Sequence, residues 1–303
     1  MSENVTLLCP GQGAQAVAMG KAWFDQHPVA AQTFAAADKA LDLPLSDLCF
    51  NGPAEQLNRT DIAQCAIYTT SVACYQALVE TGQVGQFTAT AGLSLGEFTA
   101  LHLAGAYDFV EGLNLVRLRG SAMQEAAEAS QGSMVAVTGD VTEEAINELC
   151  DRARGDSVLV PANFNSPMQV VVSGAIDACE RAVTVASEMG FKPTPLTVAG
   201  AFHSPLMQPA ADRLREALDK VQWQAPQVSV LSNVTGKPHE TDIESIKDRL
   251  VAQLTSPVRW SQSMQWAAEH LPGRFVELAP GKVLSGLMRR IDRGTKVDNF
   301  DQP

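Results

Sequence analysis

The pentapeptide GLSLG at residues 92–96 fits the pattern G-x-S-x-G. Phe87 to Ala91 before it has the composition of a strand, and Phe98 to Ala104 after it has that of a helix. A serine on a tight strand-to-helix turn needs small neighbours, because the backbone is strained and a substrate must approach closely. The segment therefore predicts a turn that presents Ser94 as a nucleophile. The alternative is an ordinary loop whose serine caps the helix.

The order of the predicted elements around this turn indicates an α/β fold. Val5 to Cys9 is a nearly continuous apolar run that ends at Pro10, which favours a buried strand leading into a glycine-containing loop. Asp61 to Glu80 has apolar residues at three- and four-residue spacings and precedes Gly82, as a capped helix does. Further strands are predicted at 228–231 and 275–278.

The composition changes between about residue 130 and residue 198. Strands are predicted there at 133–138, 158–162, 169–173 and 191–196, with helices at 143–152 and 178–189. This βαββαβ order is typical of a ferredoxin-like unit, which can be inserted into a larger α/β domain without disturbing its sheet. We therefore expect one subdomain made of residues 1–129 and 199–303 and a second made of residues 130–198.

Charge, cysteine usage and hydropathy exclude several classes of protein. The 22 Lys and Arg residues are outnumbered by 34 Asp and Glu residues, and the net charge of −12 has the wrong sign for nonspecific binding to nucleic acid or to an anionic membrane. The 6 cysteines show no C-x-x-C spacing, so we expect reduced thiols in a cytoplasmic protein and no metal site. No stretch reaches the roughly 18 apolar residues of a membrane span, and the N-terminus lacks the pattern of a signal peptide.

A serine hydroxyl is a weak nucleophile at neutral pH, so Ser94 needs a base within hydrogen-bonding reach. His102 lies too far along the following helix to reach back, which favours a packed or surface histidine. His203 follows a predicted strand in a loop, where functional side chains tend to project, and it is the candidate base; a structural histidine is the alternative. The remaining histidines lie in polar, surface-like sequence, and they are His27, His239 and His270.

Several motifs together resemble the malonyl-CoA:acyl carrier protein transacylases, enzymes that load malonyl units for fatty-acid synthesis. They cover nearly the whole chain, and in order they are PGQGAQ at 10–15, GLSLGE at 92–97, RGSAMQ at 119–124, ANFNSP at 162–167, AFHS at 201–204, NVTG at 233–236, QLTSPV at 253–258 and ELAPGKVL at 277–284. The resemblance implies an α/β-hydrolase-like large subdomain with an inserted ferredoxin-like small subdomain. This fold agrees with the change in composition between residues 130 and 198.

Carried over to the matching positions, the resemblance implies a role for each of several residues. Ser94 is acylated, and His203 acts first as general base and then as general acid. The backbone N–H groups of Gln12 and Leu95 form the oxyanion hole. The family orients its histidine through a backbone carbonyl near the position of Gln253, in place of the acid of a hydrolase triad.

Arg119 would hold the free carboxylate of the malonyl group by the same resemblance. Malonyl differs from acetyl by this carboxylate, and a guanidinium binds a carboxylate through two parallel charge-assisted hydrogen bonds. Arg117 lies two residues away, which turns its side chain by about 200° around a helix, so that only one of the two arginines faces the serine. The motif selects Arg119, and the alternative is a solvated helix arginine.

Two neighbours of these residues bear on the choice of acyl group. Phe202, directly before His203, resembles the malonyl-selecting form of this loop, because its bulk would crowd the methyl branch of methylmalonyl; core packing is the alternative. Many family members have histidine directly before the nucleophile, whereas this chain has Leu93. The departure leaves serine and base in place but puts in doubt any family property that depends on that histidine.

The resemblance implies transfer of malonyl from malonyl-CoA to the phosphopantetheine thiol of acyl carrier protein, without metal or other cofactor and by a monomer. A stand-alone acyltransferase of a polyketide or polyunsaturated-fatty-acid synthase would share every motif. A serine thioesterase would keep Ser94 and His203 but would not need Arg119. A carrier-protein-binding scaffold with a vestigial site is the non-enzymatic alternative.

Overall fold

The computed structural model describes residues 4–303. The first three residues of the predicted 1–129 range therefore lie outside the described residues, as does the start of the N-terminal sequence compared with a signal peptide. The strands are β1 (Val5–Cys9), β2 (Ala89–Gly92), β3 (Gly132–Thr138), β4 (Leu159–Ser166), β5 (Gln169–Ala175), β6 (Lys192–Pro195), β7 (Ser229–Val230), β8 (Arg274–Leu278) and β9 (Val297–Phe300). The helices are α1 (Lys21–Gln26), α2 (Pro28–Leu41), α3 (Leu45–Asn51), α4 (Ala54–Leu57), α5 (Thr60–Glu80), α6 (Leu95–Leu103), α7 (Phe109–Ser130), α8 (Glu143–Arg154), α9 (Ile176–Glu188), α10 (Gln208–Leu218), α11 (Ile243–Gln253), α12 (Trp260–His270) and α13 (Val283–Ile291).

The larger sheet is parallel and has the strand order β7-β2-β1-β8-β9. Its central strand β1 is buried along its whole length, as expected for a parallel sheet covered on both faces. The register places Cys9 opposite Gly92, so the loop after β1 and the turn after β2 leave the same edge of the sheet. Ligands of open α/β folds bind at this carboxyl edge.

The smaller sheet is antiparallel, with the strand order β4-β5-β3-β6, and α8 and α9 pack against it. Its elements follow the order βαββαβ, and a separate hydrophobic cluster that includes Val137, Ile146 and Val172 forms its core. These are the features of a ferredoxin-like unit. The predicted fold class, a large α/β subdomain with an inserted ferredoxin-like subdomain, is confirmed; the boundaries at residues 130 and 198 stay a prediction.

The helix α5 runs through the main hydrophobic core and is buried along most of its length. By length and hydropathy alone it qualifies as a membrane span, but 78% of the qualifying window is buried inside the fold. A helix that is apolar on all sides is equally suited to the centre of a large domain. Here α5 packs against α7 and brings the side chain of Gln64 to Arg119.

Several elements differ from the sequence predictions. The strand β4 continues to Ser166, beyond the predicted end at residue 162, and β2, β6 and β7 differ from the predicted bounds by one or two residues at an end. The sequence does not predict β9, because this strand is short, lies at the sheet edge and contains no continuous apolar run. The helix after the serine turn begins at Leu95, earlier than the predicted start at Phe98. Its first turn contains a glycine and a glutamate, so the spacing of apolar residues does not indicate that the helix begins there.

Candidate active site

Ser94 occupies the turn between β2 and α6 in a backbone conformation that few non-glycine residues adopt, with φ 52° and ψ −104°. Two glycines are required for this turn, because a Cβ at Gly92 would overlap the backbone of Gly96 and a Cβ at Gly96 would overlap the carbonyl of Cys9. The backbone N–H of Ser94 donates to Oδ1 of Asn233 at 2.6 Å. The turn therefore holds the serine rigidly at the carboxyl edge of the parallel sheet.

His203 lies next to this serine, with its Nε2 at 2.8 Å from Ser94 Oγ. Its Nδ1 lies 2.7 Å from the backbone carbonyl of Gln253. A carbonyl only accepts, so Nδ1 carries the proton and Nε2 is free to accept from the serine hydroxyl. Burial, and after it the positive charge of Arg119, lower the pKa of His203 to about 4. The imidazole is therefore neutral at pH 7 and suited to act as a base.

Arg119 projects from α7 to the same point and is fully buried. Its guanidinium donates to Ser94 Oγ at 2.9 Å, to Oε1 of Gln253 at 2.9 Å and to Oε1 of Gln64 at 2.8 Å. Its Nε has no hydrogen-bond partner within the described part of the chain. The guanidinium thus retains one donor, on Nε, that is not used within the described fold.

No carboxylate among residues 4–303 contacts the guanidinium of Arg119. Burial lowers the pKa of Arg119 to about 10, and the negative charge of Glu97 opposes this effect, so the group remains a cation at pH 7. A buried cation without a contacting counter-ion favours the binding of an anion. Arg117 instead donates to the backbone carbonyl of Leu41 at 3.0 Å, so the two arginines leave α7 in different directions.

Gln12 and Leu95 carry backbone N–H groups near the serine. Leu95 is the first residue of α6, where an N–H has no acceptor in its own helix. The loop of Gln12 passes directly over the turn, because a Cβ at Gly11 would overlap the carbonyl of Leu93. Neither N–H donates to another of the described residues. These donors are suited to stabilise an oxyanion on an acyl group attached to the serine.

A cavity of about 610 Å³ opens onto Ser94 and His203 between the two subdomains. Phe202 and Leu93 both line it, and Phe202 also packs into the main core with 6% of its surface exposed. The small subdomain contributes the wall formed by Met134, Asn163, Asn165 and Val171. The volume of the cavity falls within the range of small-molecule binding sites.

A buried polar network lies behind the turn, and the sequence prediction does not include it. Glu97 on α6 accepts from Nε2 of Gln253 at 2.6 Å and from the backbone N–H of Asn233 at 3.2 Å. Nε2 of His239 lies 2.6 Å from its other oxygen. The side-chain amide of Gln253 also donates to the carbonyl of Ser94 at 3.1 Å. Gln253 therefore contacts the serine, the histidine and the arginine of the site at once.

The expectation that His239 lies at the surface is wrong, since its side chain is 2% exposed and pairs with Glu97. The chain folds back between Leu231 and Pro238, which carries this histidine under the serine turn, and its polar sequence neighbours give no sign of this. Glu97 does carry a signal, because it is an isolated carboxylate in an otherwise apolar, buried helix. Gln64 stands out in the same way within α5.

The chain matches the acyl transferase domain family over residues 6–299. It is 41% identical over 302 residues to the malonyl CoA-acyl carrier protein transacylase of Bacillus subtilis (strain 168), which covers 99% of this chain and 94% of that protein. The crystal structure of a malonyl-CoA:acyl carrier protein transacylase from Xanthomonas oryzae pv. oryzae matches with a TM-score of 0.94 at 40% identity, covering 100% of this chain and 96% of that chain. A malonyl-transacylase in complex with a holo type II PKS acyl-carrier protein matches with a TM-score of 0.95 at 37% identity, covering 100% and 97%. The chain therefore belongs to the acyl transferase domain family and, within it, to the malonyl CoA-acyl carrier protein transacylases.

Proposed function

We propose that the protein transfers malonyl from malonyl-CoA to the phosphopantetheine thiol of acyl carrier protein through a malonyl ester on Ser94. The observation that carries this proposal is the buried guanidinium of Arg119 at 2.9 Å from Ser94 Oγ. The carboxylate of a malonyl group on that oxygen is separated from the ester carbonyl by one methylene. It therefore comes within reach of the donors of Arg119, which bind it by charge-assisted hydrogen bonds.

The first half-reaction forms the ester. Nε2 of His203 takes the proton of Ser94 as Oγ attacks the thioester carbon of malonyl-CoA. The backbone N–H groups of Gln12 and Leu95 stabilise the tetrahedral oxyanion, which collapses as the carbon–sulfur bond breaks. The imidazolium then returns its proton to the departing CoA thiolate, so His203 is neutral again and malonyl remains on the serine.

The second half-reaction reverses these roles. The phosphopantetheine thiol of the carrier protein attacks the ester carbonyl, and His203 takes the thiol proton. The second tetrahedral intermediate collapses with release of Ser94 Oγ, which receives that proton. In both steps the carbonyl of Gln253, 2.7 Å from Nδ1, keeps the imidazole in the reactive tautomer and orientation.

The cavity wall bears on which acyl group is accepted. We propose that Phe202 disfavours a 2-methyl branch, because its ring occupies the wall beside His203. One methyl group is worth about 1–3 kcal/mol in such a pocket, so this is a preference and not an exclusion. Leu93 presents an apolar side chain to the same cavity and offers no further titratable group to the reaction.

The acceptor, setting and organisation complete the proposal. The similar structure of a malonyl-transacylase with an acyl-carrier protein supports a carrier protein as acceptor. The site residues supply a nucleophile, a base and oxyanion donors, so the reaction as proposed needs no metal or redox cofactor. We place the protein in the cytoplasm as a monomer, with residues 130–198 as the inserted subdomain that closes one side of the cavity.

Intact-protein mass spectrometry tests this function. Wild type and Ser94→Ala are each mixed with malonyl-CoA, acetyl-CoA or methylmalonyl-CoA, and holo acyl carrier protein is added afterwards. We expect a malonyl adduct on wild type alone, which disappears as malonyl-carrier protein forms. Release of free malonate without an adduct would instead indicate a thioesterase, and a folded protein that neither forms an adduct nor hydrolyses would indicate a scaffold.

A further inference from the structure

The proposed mechanism leaves one electrostatic problem at His203. Each half-reaction turns the imidazole into a cation beside Arg119, whose positive charge already lowers the pKa of His203. In a hydrolase triad a carboxylate in contact with the imidazole offsets that charge. In this protein the Nδ1 partner is the uncharged backbone carbonyl of Gln253.

Glu97 is a buried carboxylate that the proposed mechanism does not use. Among the described residues, Glu97 and Glu277 are the fully buried acids. Glu277 accepts from the backbone N–H groups of Leu284 and Ser285 at the start of α13, so its charge is occupied there. Glu97 lies on α6, one helical turn from the serine, and is bound to Gln253 at 2.6 Å.

We propose that Glu97 is a positioning residue for the malonyl transfer, and that it supplies the missing negative charge to Arg119 and His203 through Gln253. The inference rests on the proposed function. The side-chain amide of Gln253 bridges the two charges, with Nε2 donating to Glu97 at 2.6 Å and Oε1 accepting from Arg119 at 2.9 Å. A carboxylate accepts and a guanidinium donates, so these two groups fix the direction of the amide.

The contacts of Glu97 are those of an ionised carboxylate. Its Oε2 accepts from the amide of Gln253 and from the backbone N–H of Asn233, and its Oε1 faces Nε2 of His239. Nδ1 of His239 is buried without a partner among the described residues, so a proton there would have no acceptor. The single imidazole proton therefore belongs on Nε2, where it donates to Glu97 and leaves the carboxylate charge uncancelled.

Few charged groups surround His203, so few other charges add to or oppose the effect of Glu97 on the imidazole. Ser94 and Gln253, which contact the imidazole directly, are uncharged. Arg119 comes from α7. Glu97 lies on α6, and Gln253 stands between it and the imidazole of His203. His239, on the segment after β7, contacts Glu97 and not His203. The negative charge of Glu97 also raises the pKa of Arg119 against the larger lowering by burial, so the two groups interact across the amide.

Two variants at position 97 separate charge from geometry. Glu97→Gln keeps the reach of the side chain and, through its amide oxygen, the bonds to Gln253 and Asn233, and it loses the charge. Its amide group donates to His239 only if the imidazole proton moves to Nδ1, which has no acceptor among the described residues, so thermal unfolding reports that separate cost. Glu97→Asp keeps the charge and loses one methylene of reach. Glu128→Gln, at an exposed position on α7, is the control for loss of a carboxylate elsewhere.

The measurement is quench-flow acylation of Ser94 by malonyl-CoA and acetyl-CoA, with thermal unfolding as a check on folding. We expect Glu97→Gln to lower kcat about 10- to 100-fold for both donors. The KM for malonyl-CoA stays the same or falls, because Arg119 loses a competing anion. The acid limb of kcat/KM moves to lower pH, and Glu97→Asp retains more activity than Glu97→Gln. A merely structural role would leave the pH limb in place.

Three results would overturn the inference: wild-type kcat in Glu97→Gln, a greater loss in Glu97→Asp than in Glu97→Gln, or a raised KM for malonyl-CoA with kcat unchanged. If Glu97→Gln does not fold, His239→Gln retains the carboxylate and a donor to it. We then expect kcat within about 3-fold of wild type, and a loss of about 100-fold would contradict the inference.

A neutral sulfonyl fluoride separates this inference from the proposed function, because it reacts with an activated serine and carries no carboxylate for Arg119. Wild type that reacts with this reagent but not with malonyl-CoA would refute the function alone. Glu97→Gln that reacts with the reagent as fast as wild type would refute the inference alone.

Discussion

Nη2 of Arg119 donates to Oγ of Ser94 at 2.9 Å, so the proposed carboxylate-binding group and the proposed nucleophile are in contact before any substrate arrives. The bond favours a negatively polarised serine oxygen, because a cation stabilises the developing charge on it. An ester oxygen is a weaker acceptor than a hydroxyl, so we expect acylation of Ser94 to release this donor. We then expect the guanidinium to donate to the carboxylate of the acyl group.

We expect replacement of Arg119 to remove selectivity for malonyl. We expect Arg119→Ala to lower kcat/KM for malonyl-CoA by about 100- to 1000-fold and that for acetyl-CoA by less than about 10-fold, because acetyl has no carboxylate to bind. Arg119→Lys keeps the charge without the two-pronged geometry and falls between these values. Acylation rates with both donors provide the measurement, and Arg117→Ala, which loses a bond to a backbone carbonyl elsewhere, is the control. An equal loss with both donors would contradict the assignment.

We expect the acylation rate to depend on pH through the protonation of His203. Because burial lowers the pKa of His203 to about 4, the base stays neutral as the pH falls through the ordinary histidine range. We expect kcat/KM for malonyl-CoA to be level from about pH 8 to about pH 5 and to decrease below that as the imidazole binds a proton. Quench-flow rates over this range test the point. A midpoint near the ordinary histidine pKa of about 6.5 would contradict the lowered pKa of His203 in the free enzyme.

We expect Phe202 to control the acceptance of a branched acyl group, because it lines the cavity beside His203. We expect Phe202→Ala to raise the rate with methylmalonyl-CoA relative to malonyl-CoA by about 10-fold or more, because the methyl branch gains the space of the ring. The variant also loses about 3 kcal/mol of unfolding free energy, since the ring packs into the main core. Competition between the two donors, read by mass spectrometry, gives the ratio. Phe34→Ala, buried away from the cavity lining, must lower stability and leave the ratio unchanged.

The serine turn does not tolerate a side chain at Gly96. A Cβ there would overlap the carbonyl of Cys9 and crowd that of Pro10, which are backbone atoms and cannot swing aside. We expect Gly96→Ala to lose about 2 kcal/mol or more of unfolding free energy and to form the malonyl adduct at least about 10-fold more slowly. Gly286→Ala on α13 meets nothing within 4 Å and gains up to about 1 kcal/mol. Chemical denaturation measures the unfolding free energy of both variants, and mass spectrometry measures their rates of adduct formation. A fully active Gly96→Ala would refute the steric argument.

Local sequence determined the elements and the order in which they occur. The apolar run of β1, the glycines that flank Ser94 and the βαββαβ order of the small subdomain are all readable because each depends on near neighbours in the chain. The motifs also identified Ser94, His203 and Arg119 as candidates, and their separation into distant segments was no obstacle to recognising each one.

The contacts of these residues depend on how distant segments of the chain pack together. Ser94 and His203 are 109 positions apart, and Arg119 and Gln253 are 134 positions apart, so their distances depend on how α6, α7 and α11 pack around the parallel sheet. Glu97 and His239 show this most clearly, since one lies in an apolar helix and the other in polar loop sequence. Burial and pairing are properties of the packed molecule, and a side chain 142 positions away supplies the partner that local sequence cannot reveal.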